Sequence, residues 1–300
     1  MTSAIIDTHQ HLWDLDRFRL PWLEGLDALD RNFTLDDYAA ATDGLGVVGS
    51  VYMEVDVATD QRRDEADYVC ALCADAANPM AGAIVSGRPG DSDFADWVRY
   101  LEARPAVKGV RQVLHVPNAA PGTCLQSNYI NSIRLLGEAG LRFDVCMRSS
   151  ELGDAEKLAA ACPDTLLVLD HCGNIDPNVV AGTAEPEGGP SHGADHWRRA
   201  IDALGERSNV VCKISGIVAR APTTDNLPDL LAPTIDHCLD TFGPDRVVFG
   251  GDWPVCTLGA SYAQWVTALR AVIASRPNCE QTRLLHDNAK RLYALDQTGC

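Results

Sequence analysis

Ile5-Ile6-Asp7-Thr8-His9-Gln10-His11-Leu12-Trp13-Asp14 is the stretch on which the architecture turns. Its first four residues form a short, largely apolar run, which reads as a buried strand. A doubly wound, dinucleotide-binding sheet would place a Gly-rich phosphate turn directly after its first strand. Here the strand runs instead into His-Gln-His. Runs of the same kind recur at residues 47–55, 81–86, 109–115, 141–147, 166–171, 210–215 and 247–251, making eight with residues 5–8. Between them lie stretches with helical spacing. Residues 91–104 put Phe94, Trp97, Val98 and Leu101 on one face, and residues 195–207 do the same with Trp197, Ile201 and Leu204. Residues 35–45, 61–77, 131–139, 152–161, 229–242 and 262–275 fill the other gaps.

Uninterrupted apolar runs belong to strands buried on both faces, as in a parallel sheet. Eight βα units in about 250 residues predict a (β/α)8 TIM barrel in the α/β class. The doubly wound open sheet is the alternative, and the missing phosphate turn counts against it. No Pro/Gly/Ser linker divides the chain. The richest such stretch, residues 181–193, reads as one long loop after the sixth strand. The expectation is one domain over residues 1–300.

The chain has 300 residues, 46% hydrophobic and 22% charged, an ordinary globular composition that excludes disordered, collagen-like and coiled-coil chains. Forty-two acidic against 25 basic residues give a net charge of −17, which argues against nucleic-acid or membrane-surface partners. No run approaches the ~20 apolar residues of a bilayer span, and the N-terminus lacks the basic and apolar regions of a secretory signal. Eleven cysteines, many inside apolar segments (Cys146, Cys212, Cys238), read as free thiols in a reducing, cytoplasmic compartment. Cys70 and Cys73 form a lone CxxC on the apolar face of a helix, a packing pattern rather than a zinc site.

In a barrel the chemistry sits at the C-terminal ends of the strands. His9 and His11 end the first strand, Glu54 the second, and Arg111 and His115 the fourth. Asp144 and Arg148 lie on or after the fifth, Asp170 and His171 end the sixth, Lys213 and Ser215 lie on the seventh, and Asp252 follows two glycines after the eighth. Each has a structural reading, since a strand-end His is often only hydrogen-bonded and the glycines can serve a tight turn. The set together points to a catalytic mouth. His192, His196, His237 and His286 fall in loops and helices. Cys256 follows the last strand with no base paired to it by sequence.

The chain resembles the amidohydrolase superfamily, and within it the lactonase branch that holds L-fuconolactonase, L-rhamnonolactonase and the pyrone-dicarboxylate and muconolactone hydrolases. The matching pieces are IIDTHQHLWD with LPWL, VKGVRQVLH, VLDHCGN, CKISGI, FGGDWPV and HDNAKRLY, in that order between residues 5 and 293. Two features of the wider superfamily are missing. Lys108 stands at the start of the fourth strand rather than at its end, where a bridging carboxylated Lys would be, and the fifth strand has no terminal His. The resemblance therefore implies at most one divalent ion, on His9, His11, Asp252 and Glu54, with Zn²⁺ the best match to such donors. Metal-free catalysis is the other option.

For a lactone, an internal ester, the expected roles follow. Asp252 acts as general base with a pKa raised by desolvation, and His9, His11 and His171 polarise the carbonyl. Asp7 and Asp170 support the site, with alternation pointing them away from it. Arg111, His115, Arg148, Trp22 and Trp253 are candidates for substrate binding, and Arg88 and Trp13 also lie near the rim. Arg111 has an equal claim to a structural pairing with a core carboxylate such as Asp144. The competing functions are a metal-dependent decarboxylase, a C–N hydrolase and a catalytically inactive barrel used for binding.

Overall fold

The computed structural model describes residues 3–221 and 226–295. Eight parallel strands form one sheet in sequence order: β1 (Ile5–Gln10), β2 (Val47–Met53), β3 (Met80–Ser86), β4 (Val107–Val113), β5 (Arg142–Cys146), β6 (Leu167–Leu169), β7 (Val210–Ile214) and β8 (Val247–Phe249). The ring closes just past β8, where Gln10 bridges Trp253 in the parallel sense. The His11 N–H donates to the Trp253 carbonyl at 2.8 Å and the Asp252 N–H to the His9 carbonyl at 2.7 Å. This is the (β/α)8 barrel.

The main outer helices are α1 (Leu35–Thr42), α2 (Arg62–Ala74), α3 (Phe94–Glu102), α4 (Ser127–Glu138), α5 (Leu152–Ala161), α6 (Ala194–Gly205), α7 (Leu227–Phe242) and α8 (Tyr262–Val272). They form where the sequence has helical spacing, and each buries one apolar stripe against the strands, as Phe94, Val98 and Leu101 do on α3. α1 and α8 begin with reciprocal capping boxes, Thr34 with Asp37 and Ser261 with Gln264. Residues 181–193 form the expected irregular loop, broken only by a 3-10 turn at Pro190–His192. No helix among the described residues is long and apolar enough to cross a membrane.

One part was not read from periodicity. After α8 the chain makes α9 (Asn278–Thr282), a π turn (Arg283–Asp287) and α10 (Asn288–Tyr293). Ala289, Leu292 and Tyr293 pack against the inward side chains Ile6, Val51, Val168, Val211 and Val248, plugging the N-terminal end of the barrel. Lys108 lies at that end, its ammonium on the Ala294 carbonyl at 3.4 Å. Reactive strand ends converge at the opposite, C-terminal end of the barrel.

Asp7 ties the seam. A register shift between Asp7 and Gln10 breaks the alternation of β1, so Asp7 faces the helices while His9 faces inward. Its Oδ1 accepts the N–H groups of His9 at 2.9 Å and Gly251 at 2.7 Å, and its Oδ2 the hydroxyls of Tyr38 at 2.9 Å and Tyr262 at 3.0 Å. One buried carboxylate thus joins the first strand, the last strand and two helices.

Candidate active site

At the C-terminal mouth a cleft of about 240 Å³ opens to solvent. His11, His171, Asp252 and Arg111 line its floor, Trp22 and Val55 one wall, and His115, Asn174 and Arg220 the others. His9 lies just beneath, fully buried. The Trp22 indole donates to the Val55 carbonyl at 2.7 Å, which fixes the loop above β1 against the loop after β2.

The imidazoles gather around Asp252. Its Oδ1 is 3.3 Å from His11 Nε2 and 3.5 Å from His9 Nε2. The His9 ring lies 4.8 Å from the His11 ring and 4.5 Å from the His171 ring, centroid to centroid. His171 Nδ1 sits 2.9 Å from the Ser215 hydroxyl. Both His171 and Asp252 adopt left-handed backbone angles, φ 55° and 54°, which non-glycine residues rarely hold unless the surroundings impose them. The segments DHCGN and GGDWP are the local sequences that make these turns.

Two glycines make room. Gly216, at φ +68°, would place a Cβ 2.1 Å from His171 Nδ1, and Gly250 would place one 2.7 Å from the His9 Cβ. Any side chain at either position would occupy the space of a site imidazole.

Beneath the floor lies a network of buried charge. Arg111 donates from Nε to Glu54 Oε1 at 2.6 Å and from Nη2 to the Glu54 carbonyl at 2.7 Å. The Lys213 ammonium bridges Asp144 Oδ2 at 2.5 Å and Asp170 Oδ1 at 2.9 Å, and lies 3.4 Å from His9 Nδ1. Arg111 pairs with Glu54 rather than Asp144 because Lys213 already holds that carboxylate. Asp170 points into the barrel, against the expectation from alternation. Val168, two residues earlier, is inward, and the same parity carries Asp170 to His9 and Lys213.

Burial sets the protonation states. It pushes His9 well below the usual histidine value, further than the Asp170 charge can restore, and it lowers His171 as well. Burial also pushes Asp170 up, but Lys213 and His9 outweigh it and hold that carboxyl well below the usual range. Asp144, desolvated and only partly compensated by Lys213, rises to about 7. The expectation for Asp252 is reversed. Burial does push it up, but His171, His11 and His9 together bring it down to about 2.

Other candidates fall elsewhere. Trp253 is buried against Phe33 and Tyr38, away from the cleft. Arg148 binds Glu151 at 3.0 Å and the Val116 carbonyl at 2.5 Å, bracing the loop after β4. Arg88 pairs with Asp56 at 2.5 Å. Trp13 packs edge-on against Trp22 and Phe33. Cys256 is buried and its thiol is pushed up by desolvation, an inert environment. His115 stands at the exposed rim. Asn174 and Arg220 line the cleft without having been singled out from the sequence, and Cys146, read there only as a packing thiol, lines it too. Asn174 had one usable signal, its place three residues after His171 in a turn with positive φ; Arg220 had none.

The ligand atoms of His9, His171 and Asp252 all lie within 4.8 Å of one another, close enough to share one ion. His11 adds a sharper observation. Its Nδ1 is 2.9 Å from the Met53 carbonyl, which only accepts, so Nδ1 carries the proton. Nε2 is the ring atom turned toward the Asp252 oxygen, 3.3 Å away, where the two could share a cation. The residues therefore fit a divalent ion. Glu54 is already engaged by Arg111.

The amidohydrolase family model matches residues 6–295. L-Fucono-1,5-lactonase of Burkholderia multivorans is 28% identical over 304 residues, covering 99% of this chain and 98% of that protein. L-Rhamnono-gamma-lactonase of Scheffersomyces stipitis is 23% identical over 340 residues, covering 96% and 98%. A zinc-bound amidohydrolase structure from Burkholderia multivorans superposes with a TM-score of 0.82 at 26% identity, covering 97% of this chain and 99% of that one. With the model spanning every strand of the barrel and the reactive strand ends gathered at one mouth, the chain belongs to the amidohydrolase family.

Proposed function

We propose that this protein hydrolyses a small lactone, with a sugar lactone of the fucono- or rhamnono- type as the favoured substrate. The observation that carries the reading is an ionised carboxylate, Asp252, held among three imidazoles on the floor of the cleft. End-to-end similarity to two sugar lactonases supports the choice of substrate.

Ester hydrolysis needs a water poised to lose a proton and a partner for the charge that develops on the carbonyl oxygen. Asp252 orients the water and takes its proton. A pKa near 2 makes it a carboxylate at any working pH, and a weak base. Once protonated, it returns that proton to the ring oxygen as it leaves. His171 and His11 flank the carbonyl position. With His171 lowered by burial, its ring is neutral and donates a hydrogen bond rather than a full charge. Arg111, pinned by Glu54, adds fixed positive potential beneath the floor. Trp22 and His115 bound the cleft where the remainder of the substrate would lie.

His9, His11, His171 and Asp252 would hold one divalent ion, Zn²⁺ being the best match to such donors. When bound, that ion supplies Lewis-acid polarisation of the carbonyl and acidifies water. Lys108, at the plugged end of the barrel, offers nothing to a second ion.

A screen of lactones for acid release, with and without chelator, tests the reading. On the lactone that turns over fastest, Asp252→Asn lowers kcat by roughly 100-fold or more with KM nearly unchanged. Near-full kcat in that variant places the base elsewhere and overturns the mechanism. Two metal equivalents per chain, with activity following the second, would overturn the single-ion assignment.

A further inference from the structure

On the outer side of β6 and β7, away from the cleft, three sulfurs converge. The Sγ atoms of Cys172, Cys212 and Cys238 all lie within 4.8 Å of one another, and all three residues are fully buried. Cys172 follows β6 in the left-handed turn at φ 52°, Cys212 lies on β7 and Cys238 on α7. The Trp197 indole locks the turn by donating to the Cys172 carbonyl at 2.8 Å. Buried cysteines commonly pack as small apolar side chains. These three instead bring their sulfurs together, with the Cys172 thiol donating to the Lys213 carbonyl at 3.9 Å.

We propose that this trio is a three-coordinate site for one soft monovalent metal ion of the copper(I) class. Sulfur donors select soft ions, copper(I) and zinc foremost. Zinc in a closed site takes four tetrahedral ligands, and this group offers three among the described residues. Each sulfur binds as a thiolate, so on binding three S–H bonds break, their protons leave to solvent, three sulfur–metal bonds form, and no oxidation state changes. The site is also placed to be felt in the cleft, since Cys172 directly follows His171 and Cys212 directly precedes Lys213.

The test is an anaerobic titration of the reduced full chain with copper(I) held by a competing chelator. One equivalent per chain transfers, about three protons are released per ion in weak buffer, and a sulfur-to-copper charge-transfer band appears. Cys238→Val, remote from the cleft and close in volume, loses that equivalent, while Cys146→Ala, which removes a thiol on the cleft side, keeps it. No transfer to the wild type, or equal transfer to Cys238→Val, overturns the proposal. X-ray absorption of the copper-loaded wild type is independent of any variant's folding. Three sulfur neighbours support the site, and nitrogen or oxygen donors overturn it.

Discussion

Gly216→Ala separates the position of His171 from the general stability of the barrel. The added Cβ would sit 2.1 Å from His171 Nδ1. Non-bonded heavy atoms settle near 3.5 Å, so the ring must retreat by more than about 1 Å. A displacement of that size at a catalytic group costs on the order of 100-fold in rate. The backbone adds a second cost, because alanine in the left-handed region loses roughly 1–2 kcal/mol. The His171–Ser215 hydrogen bond, 2.9 Å long, is broken, for about 0.5–1.5 kcal/mol more. The expected result is a kcat about 100-fold lower, read with a lactone that the wild type turns over, and a urea stability lower by about 2–3 kcal/mol. Gly122→Ala is the control, since Gly122 has the same backbone sign at φ +74° and nothing within 4 Å of an added Cβ. It should lose the backbone contribution alone and keep its kcat. A kcat for Gly216→Ala within about threefold of wild type, or an equal loss in Gly122→Ala, would refute the claim that His171 acts from this position.

Lys213→Met leaves Asp144 and Asp170 buried without their shared ammonium, and should cost about 3–5 kcal/mol in urea unfolding. Adding Asp144→Asn should recover part of that loss, and a single-variant cost under about 1 kcal/mol would show that the network does not hold the barrel centre. Glu65 gives a pH test. Burial raises it to about 8, and its Oε1 accepts the Val55 N–H at 2.9 Å and the Tyr52 hydroxyl at 3.0 Å while Oε2 has no partner. Between pH 5 and pH 8 the unfolded chain loses this proton and the folded chain largely keeps it, so wild-type stability falls as pH rises through that window. Glu65→Gln cannot ionise and should gain on the wild type by up to a few kcal/mol over the same window, whereas an identical stability difference at both pH values would contradict the raised carboxyl.

What the sequence determined by itself is whatever depends on local pattern. Eight apolar runs alternating with amphipathic stretches specify a parallel sheet wrapped by helices, and His-Gln-His in place of a Gly-rich turn separates the barrel from an open sheet. The strand ends carrying His9, His11, His171 and Asp252 were legible because a barrel collects its strand ends at one mouth whatever the loops do. The terminal helices escaped because the interior they plug is made by strands far away in sequence.

Tertiary structure alone decided the rest, because partners and electrostatics depend on groups that the sequence keeps far apart. Asp7 and His9 share a parity in the sequence, so the expectation that Asp7 points away from the site holds only because of the register shift in β1. Arg111 had several carboxylates within reach of a guess, and the prior claim of Lys213 on Asp144 left it Glu54. Burial alone argued for a raised Asp252, yet three imidazoles from two other strand ends reverse the direction. Likewise Cys172, Cys212 and Cys238 read singly as packing residues. Their sulfurs meet only because β6, β7 and α7 are neighbours in the folded barrel.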